Sequence, residues 1–150
     1  MRLLIQRVVS AAVDVGGQRV GDIGSGLLLL VSFEVGDTDE DLQWAAHKVL
    51  NIRIFADDEG KMNRNVQQVG GGILVVSQFT LHAQVKKGFR PSFIRAAPPD
   101  IARNLYCRFV DLLRAQFNGP IAEGIFGAYM QVHLVNDGPV TIWMDTKHKE

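Results

Sequence analysis

Hydroxyl and amide side chains follow directly on a short apolar run in the middle of the chain. Residues 73–76 are aliphatic and mostly β-branched, and they come after three glycines, which favours a strand buried on both faces. Ser77, Gln78 and Thr80 then place hydrogen-bonding groups where this strand, expected over 73–80, should leave the core. We interpret this strand end as the catalytic site.

Catalysis by these side chains needs more than a hydroxyl group. A nucleophilic Thr80 requires a general base within hydrogen-bonding reach, and usually a third group that orients the base. His82 would share the face of Thr80 if the strand continued, but no carboxylate completes a triad. Phe79 should point to the opposite face, into the core, and leave only its backbone at the site. Ser77 and Gln78 also suit plain hydrogen bonding to backbone.

A long stretch without acidic residues surrounds this strand. The net charge of the chain is zero, yet residues 60–99 contain no Asp or Glu. Two phenylalanines, Phe89 and Phe93, alternate with the cations, and single-stranded RNA ends are bound by cations on phosphates and aromatic rings on bases. We therefore predict an RNA contact by Lys86, Lys87, Phe89, Arg90 and Arg95, with an ordinary solvated loop as the alternative. The cations of the stretch are Lys61, Arg64, Lys86, Lys87, Arg90 and Arg95.

Length and composition limit the class of protein. With 150 residues and 47% apolar content, the chain suits one domain, expected over 1–150. Cys107 is the only cysteine, which excludes an intrachain disulfide and favours a structural thiol. The first residues meet charge too early for a signal sequence, and no apolar run nears the ~20 residues of a membrane helix. We expect a cytoplasmic protein with no membrane contact.

No pattern of metal ligands is present. His47 has no His, Cys or carboxylate at metal-binding spacing, so a surface position is expected. The acidic turn at residues 57–60 lacks the alternating oxygen ligands and the distal Glu of a calcium loop. We expect neither a metal nor an organic cofactor.

Apolar periodicity predicts an α/β domain with helices on one side of its sheet. Besides the central strand, strands are expected at 3–9, 11–15, 18–23, 27–33, 53–56, 129–135 and 140–144. One helix should start at Asp37 or Thr38, and a second at Pro98-Pro99 and stop at Asn118-Gly119-Pro120. The second helix has an apolar stripe formed by Ile101, Leu105, Phe109, Leu112 and Leu113.

Two motifs together resemble the D-aminoacyl-tRNA deacylase family. Residues 77–81, Ser-Gln-Phe-Thr-Leu, match its SQxTL-type strand end, and residues 136–141, Asn-Asp-Gly-Pro-Val-Thr, match its NxGPxT-type turn. The resemblance extends to residues 1–8, including Arg7, and to residues 87–93. It therefore covers nearly the whole chain, and the combination is specific where either motif alone is weak.

The resemblance implies a fold and a reaction. The fold is a three-layer α/β/β domain that forms a homodimer with its active site at the subunit interface. The reaction is hydrolysis of D-aminoacyl-tRNA, assisted by the 2′-hydroxyl of the terminal ribose, while backbone N–H groups near Phe79 and Thr80 hold the carbonyl oxygen. A cis Gly138-Pro139 motif, which Arg7 helps to hold, would enter the partner's pocket and reject L-amino acids.

Such a filter works by excluding a side chain, so glycyl-tRNA should also be hydrolysed. Two further interpretations stay open at this point. The chain could be a tRNA-end-binding module without catalysis, or a hydrolase of small esters with Thr80 as its nucleophile.

Overall fold

One long strand, β1 at Arg2–Val15, pairs with three other strands of the sheet. The computed structural model describes all 150 residues. β1 turns through Gly16 and Gly17, both with positive φ, into β2 at Gln18–Ile23. It also pairs with β3 at Gly26–Ser32 along its first half and with β8 at Met130–Asp145 along nearly its whole length. The expected glycine hairpin is confirmed, but residues 3–15 form one strand where two were predicted.

The sheet has the order β2-β1-β3-β6-β7, and β8 also belongs to it and pairs with β1. β6 is Gly72–Ser77 and β7 is Ile121–Glu123, and both β3–β6 and β6–β7 are parallel pairs. Parallel strands are usually covered on both faces, which explains why the apolar runs of β3 and β6 are almost continuous. Short strands β4 at Phe55–Ala56 and β5 at Met62–Arg64 form a separate ribbon.

Two helices complete the domain. α1 at Asp39–Asn51 begins with a capping box in which Thr38 and Asp41 satisfy each other's backbone amides, so the predicted start is confirmed. α2 at Pro99–Gln116 carries Pro99 in its first turn and ends just before Asn118-Gly119-Pro120, again as predicted. The predicted stripe of α2 is wrong at one position, because Ile101 is 45% exposed.

Two separate cores lie on the two faces of the sheet. The larger one packs α1 and α2 against residues of β1, β3 and β6. The smaller one contains strand residues alone, from β1, β2, β3 and β6, and residues of β8 pack against it. The three-layer order that the family resemblance implies stays a prediction. The fold is thus a single α/β domain with both helices on one side.

Several predicted boundaries are wrong. β6 ends at Ser77, not at Thr80, because the chain turns into one 3₁₀ turn at Phe79–His82. The predicted strand at 53–56 shrinks to its last two residues, and β5 and β7 were missed because each has only three residues. The two predicted strands at 129–135 and 140–144 are one strand that pairs with β1 on both sides of a bulge.

Candidate active site

The 77–82 turn is the point where β6 leaves the core. Gln78 is held to β3 by its amide, which donates to the Val31 carbonyl at 2.7 Å. The Leu81 amide donates to the Gln78 carbonyl at 3.2 Å, and the Ala83 amide donates to the Thr80 carbonyl at 3.0 Å. The carbonyls of Gln78 and Thr80 therefore have partners within the protein.

The amides of Phe79 and Thr80 are different, because they are the first two of the 3₁₀ turn and so have no acceptor within it, and no turn or loop bond uses them. Two successive free N–H groups on an anchored turn form a concentrated patch of positive partial charge. Such an arrangement can bind the oxygen of a polarised carbonyl without reorganising, which is how an oxyanion hole works. The expectation that these backbone N–H groups hold the carbonyl oxygen of a substrate stays a prediction.

A pocket of about 610 Å³ opens beside this turn. Ser77, Gln78 and Phe79 form one wall of the pocket, the end of β3 forms another, and most of the lining is apolar. Phe79 is 56% exposed and its ring meets that of Phe93 edge to face, with centroids 5.1 Å apart. The prediction that the Phe79 side chain lies in the core is therefore wrong, because the strand ends before the alternation reaches it.

Thr80 has no base beside it. Its hydroxyl accepts a hydrogen bond from the side-chain amide of Gln78 and is exposed. His82, expected on the same strand face, is instead fully buried, and its Nδ1 lies 2.6 Å from Ser32 Oγ. Burial, with a contribution from Arg2, lowers the pKa of His82 to about 4. The position that sequence reasoning gives to His82 is wrong, because the 3₁₀ turn rotates it into the core.

The cationic segment extends from the pocket into solvent. Backbone bonds between Gln84 and Ser92, at 2.8 and 3.0 Å, close residues 84–92 into a loop. Lys86, Lys87 and Arg90 on this loop are exposed and form no ion pair within the chain, and the Phe89 side chain is fully exposed. These residues are free for a partner.

The other cations of the acid-free stretch are paired. Arg95 lies 3.2 Å from Glu34, so the predicted RNA contact at Arg95 would have to compete with this carboxylate. Lys61 pairs with Glu59, and Arg64 pairs with Asp58. The acid-free stretch of sequence is therefore not one basic surface in the folded protein.

The second motif is a bulge in β8. Val8 pairs with Asn136 and Gln6 pairs with Thr141, so residues 137–140 leave the ladder. The Asn136 side-chain amide bridges the two ends of the bulge by donating to the carbonyls of Arg7 at 3.0 Å and Val140 at 3.1 Å. The bulge therefore has a defined shape without a ladder of its own.

Gly138 and Pro139 form the exposed tip of this bulge, and the peptide bond between them is cis. Arg7 Nε lies 2.9 Å from Asp137 Oδ2, in an ion pair that lacks hydrogen-bond geometry. Gly138 has a φ of 118°, and a Cβ there would lie 2.9 Å from the Val140 side chain and 3.1 Å from Arg7. Only glycine fits. Neither Gly138 nor Pro139 lines the pocket beside the 77–82 turn of the same chain.

Sequence reasoning misses much of the pocket wall. Ser32 and the segment 126–130 line it, as do residues 96–99 before and at the start of α2. The sequence marks Tyr129 only as the start of a strand, although an aromatic residue that is 90% exposed beside a pocket is a recognisable signal once the fold is known. No three His, Cys, Asp or Glu side chains are grouped as metal ligands. No helix is long and apolar enough to cross a membrane.

Comparison with known proteins decides the family. The family model described as D-Tyr-tRNA(Tyr) deacylase matches residues 4–145. The chain belongs to this family. A D-aminoacyl-tRNA deacylase of Flavobacterium johnsoniae is 55% identical over 150 residues, the whole of both chains. One of Thermomicrobium roseum is 57% identical over 146 residues, covering 97% of this chain and 94% of the relative. The resemblance and the expectation of an ester hydrolase are confirmed.

Solved structures agree with this membership. A structure described as c-Myc DNA Unwinding Element Binding Protein is 42% identical with a TM-score of 0.92, covering 97% of this chain and 98% of the other. A structure of a probable eukaryotic D-amino acid tRNA deacylase has a TM-score of 0.81 at 21% identity, covering 95% of this chain and 97% of the other. The second likeness concerns the fold alone.

Proposed function

We propose that this chain hydrolyses the ester bond of D-aminoacyl-tRNA and releases the D-amino acid and the tRNA. The observation that carries the proposal is the pair of free amides at Phe79 and Thr80, placed beside a largely apolar pocket. The ester carbonyl oxygen accepts hydrogen bonds from these amides, which stabilise the negative charge that develops as water attacks. Curated relatives with this activity cover the whole chain and support the assignment.

The substrate supplies what the protein lacks. Thr80 has no base, and His82 is buried away from it, so no side chain near the turn is suited to activate a nucleophile. The 2′-hydroxyl of the terminal ribose lies next to the ester in aminoacyl-tRNA and can orient the attacking water. The protein then contributes position and charge stabilisation, while the RNA assists the chemistry.

Chirality is read by the bulge of a second subunit. Gly138 and Pro139 are exposed and do not line the pocket of their own chain, which supports a homodimer in which they enter the partner's pocket. With the carbonyl and the amino group of the substrate both held, the backbone there contacts the side chain of an L-amino acid but only the hydrogen of a D-amino acid. The bulge thus selects by exclusion.

Selection by exclusion does not reject every substrate that lacks a D side chain. Glycine presents only hydrogen to the bulge, so glycyl-tRNA passes the filter and is also hydrolysed. Side chains of D-amino acids point away from the bulge, so their size matters little. The loop with Lys86, Lys87, Phe89 and Arg90 contacts the acceptor end of the tRNA, since its cations have no partner within the chain.

The deciding experiment compares three substrates with the purified protein. We expect rapid release of D-tyrosine from D-tyrosyl-tRNA, and little reaction with L-tyrosyl-tRNA or with the ethyl ester of D-tyrosine. Equal hydrolysis of the free ester would instead indicate a small-ester hydrolase that uses Thr80. Binding of both tRNAs without turnover would indicate an RNA-binding module, and either result would overturn the proposal.

A further inference from the structure

Ser32 and His82 form a buried pair directly behind the 77–82 turn. Ser32 is the last residue of β3 and is 2% exposed, and His82 is fully buried. Ser32 Oγ lies 2.6 Å from His82 Nδ1 and 3.4 Å from the carbonyl oxygen of Phe79. Burying a histidine costs free energy unless its ring nitrogens form hydrogen bonds, so packing alone does not explain this pair.

The carbonyl that Ser32 contacts belongs to the same peptide unit as the free amide of Thr80. A trans peptide unit is planar, with its C=O and N–H pointing in opposite directions. Fixing the Phe79 carbonyl against Ser32 therefore fixes the direction of the Thr80 N–H away from Ser32. The 3.4 Å contact is long for a hydroxyl donor, but His82 restrains the hydroxyl by holding its oxygen at 2.6 Å.

A Ser32 hydroxyl that donates to Phe79 requires one particular tautomer of His82. Ser32 has one hydroxyl hydrogen, so it can donate to Phe79 only if the His82 ring donates to Ser32 through Nδ1–H. The other ring nitrogen, Nε2, lies 3.9 Å from Glu34 Oε1, which is too far for a hydrogen bond, and neither atom has another partner. Nε2 therefore makes no hydrogen bond that would hold the proton there.

We propose that Ser32 and His82 are positioning residues for deacylation: the Nδ1–H of His82 orients the Ser32 hydroxyl, which holds the Phe79–Thr80 peptide unit so that its N–H faces the substrate carbonyl. Neither side chain touches the substrate. Arg2 assists from the far end of the turn, because its guanidinium donates to the Leu81 carbonyl at 2.9 Å. The inference rests on the proposed function, since it assigns a role in that reaction.

The first test determines which ring nitrogen of His82 carries the proton. It uses one variant, and only to assign the His82 signals. A long-range ¹H–¹⁵N spectrum distinguishes a protonated from an unprotonated ring nitrogen, and the His82→Asn spectrum identifies which of the four histidines is His82. We expect Nδ1 to carry the proton at neutral pH and Nε2 to carry none. A proton on Nε2 would make Ser32 donate to the ring and release the Phe79 carbonyl, which would overturn the proposal.

The second test separates position from stability. Ser32→Ala should lower the single-turnover rate on D-tyrosyl-tRNA about 10- to 100-fold. This loss is smaller than the ~10²–10³-fold typical of removing an oxyanion donor outright. The protein concentration that gives half of the maximal rate should not change. His82→Asn keeps a donor near the Nδ1 position and should retain most of the rate, whereas His82→Leu should not. Thr38→Ala is the matched control, because it removes the cap of α1 and should lower only the unfolding midpoint.

The outcomes distinguish this inference from the function itself. If the unaltered protein does not hydrolyse D-tyrosyl-tRNA, the proposed function fails before any variant is considered. If it does, and Ser32→Ala loses stability like Thr38→Ala but keeps the full rate, the pair is merely structural and the positioning role is wrong.

Discussion

The 77–82 turn and the 137–140 bulge are both interruptions of a strand, but they are built in opposite ways. The turn lies against a pocket of its own chain and is anchored from behind by Val31, Ser32 and Arg2. The bulge is exposed at its tip and is anchored only at its base, by Asn136 and Arg7. The turn therefore faces a pocket of its own chain, whereas the tip of the bulge faces no such pocket.

The division of labour follows from this contrast. A donor that stabilises charge must be fixed before the reaction, which the buried anchors of the turn achieve. A filter that excludes one enantiomer needs only a rigid backbone edge at the right distance, and such an edge can come from a second subunit. In the proposed reaction the turn governs the rate and the bulge governs selectivity, and each role can be tested without the other.

The largest effect should come from the substrate. Because the turn offers amides but no base, replacing the 2′-hydroxyl of the terminal adenosine by hydrogen should lower turnover by about 10²–10⁴-fold, the range for general acid–base assistance. Thr80→Val should cost far less, since its hydroxyl only meets Gln78. Rapid-quench assays with both tRNAs measure this. A covalent aminoacyl adduct on Thr80 would contradict the account.

Mild acid should lower the free energy of unfolding through His82, which lies in the 77–82 turn. Burial, aided by Arg2 and opposed by Glu34, holds the pKa of His82 at about 4, below its ordinary 6.5. The unfolded chain binds the proton first as pH falls, so the stability from neutral His82 is present above pH 6.5 and lost through pH 4. The lowered pKa of His82 corresponds to roughly 3 kcal/mol in the free energy of unfolding.

Urea unfolding at a series of pH values checks this expectation. His82→Asn should flatten the dependence between pH 6.5 and 4. Asp41 contributes in a lower range, because hydrogen bonds from Lys147 and Thr38 outweigh burial and hold its pKa below the usual 3.8. An unchanged slope in His82→Asn would mean that His82 is already charged in the folded protein.

Loosening the bulge should alter selectivity more than rate. Asn136→Ala removes both bonds that bridge its ends, to Arg7 and Val140. We expect the preference for D- over L-tyrosyl-tRNA to fall by about 10- to 100-fold, the scale on which contacts discriminate similar substrates, with D-turnover nearly unchanged. Gln131→Ala, on the exposed face of the same strand, is the control. Loss of D-turnover without loss of selectivity would reverse the roles of the two regions.

The smallest effect should come from the loop beside the turn. Changing Lys86, Lys87 and Arg90 together to Ala should weaken binding of D- and L-tyrosyl-tRNA equally. The slope of log affinity against log salt should fall by roughly 0.7 to 0.9 for each phosphate that the loop no longer neutralises. Filter binding over a range of salt concentrations measures it. Lys48→Ala on α1, away from the loop, serves as the control. An unchanged slope in the triple variant would move the RNA surface elsewhere.

The sequence predicts local features of this fold well. The start of α1 follows from Thr38 and Asp41, and the buried strand β6 follows from its apolar run, because both signals lie within a few residues of the element they define. The 77–82 turn could not be predicted in this way. Its residues suit a strand equally, and the choice is made by Ser32 and Arg2, which lie 47 and 79 residues away from their partners in the turn.

The candidate site shows the same limit. The motif residues Ser77 and Gln78 lie on the pocket as expected, but the burial of His82 and the exposure of Phe79 depend on where the strand stops. The pairing of Arg95 with Glu34 joins residues 61 positions apart, and no local pattern announces it. The residue types near the site can therefore be read from the sequence, whereas the long-range contacts that place them cannot.

The free amide of Thr80 is the centre of this account, and it can be removed alone. Incorporating the α-hydroxy acid analogue of threonine at position 80 replaces the N–H by an oxygen and keeps the side chain. The account predicts that the single-turnover rate on D-tyrosyl-tRNA falls by about 10²–10³-fold with binding unchanged, while the same replacement at the exposed, unbonded amide of Lys87 has no effect. An unaltered rate with the ester at position 80 would contradict it.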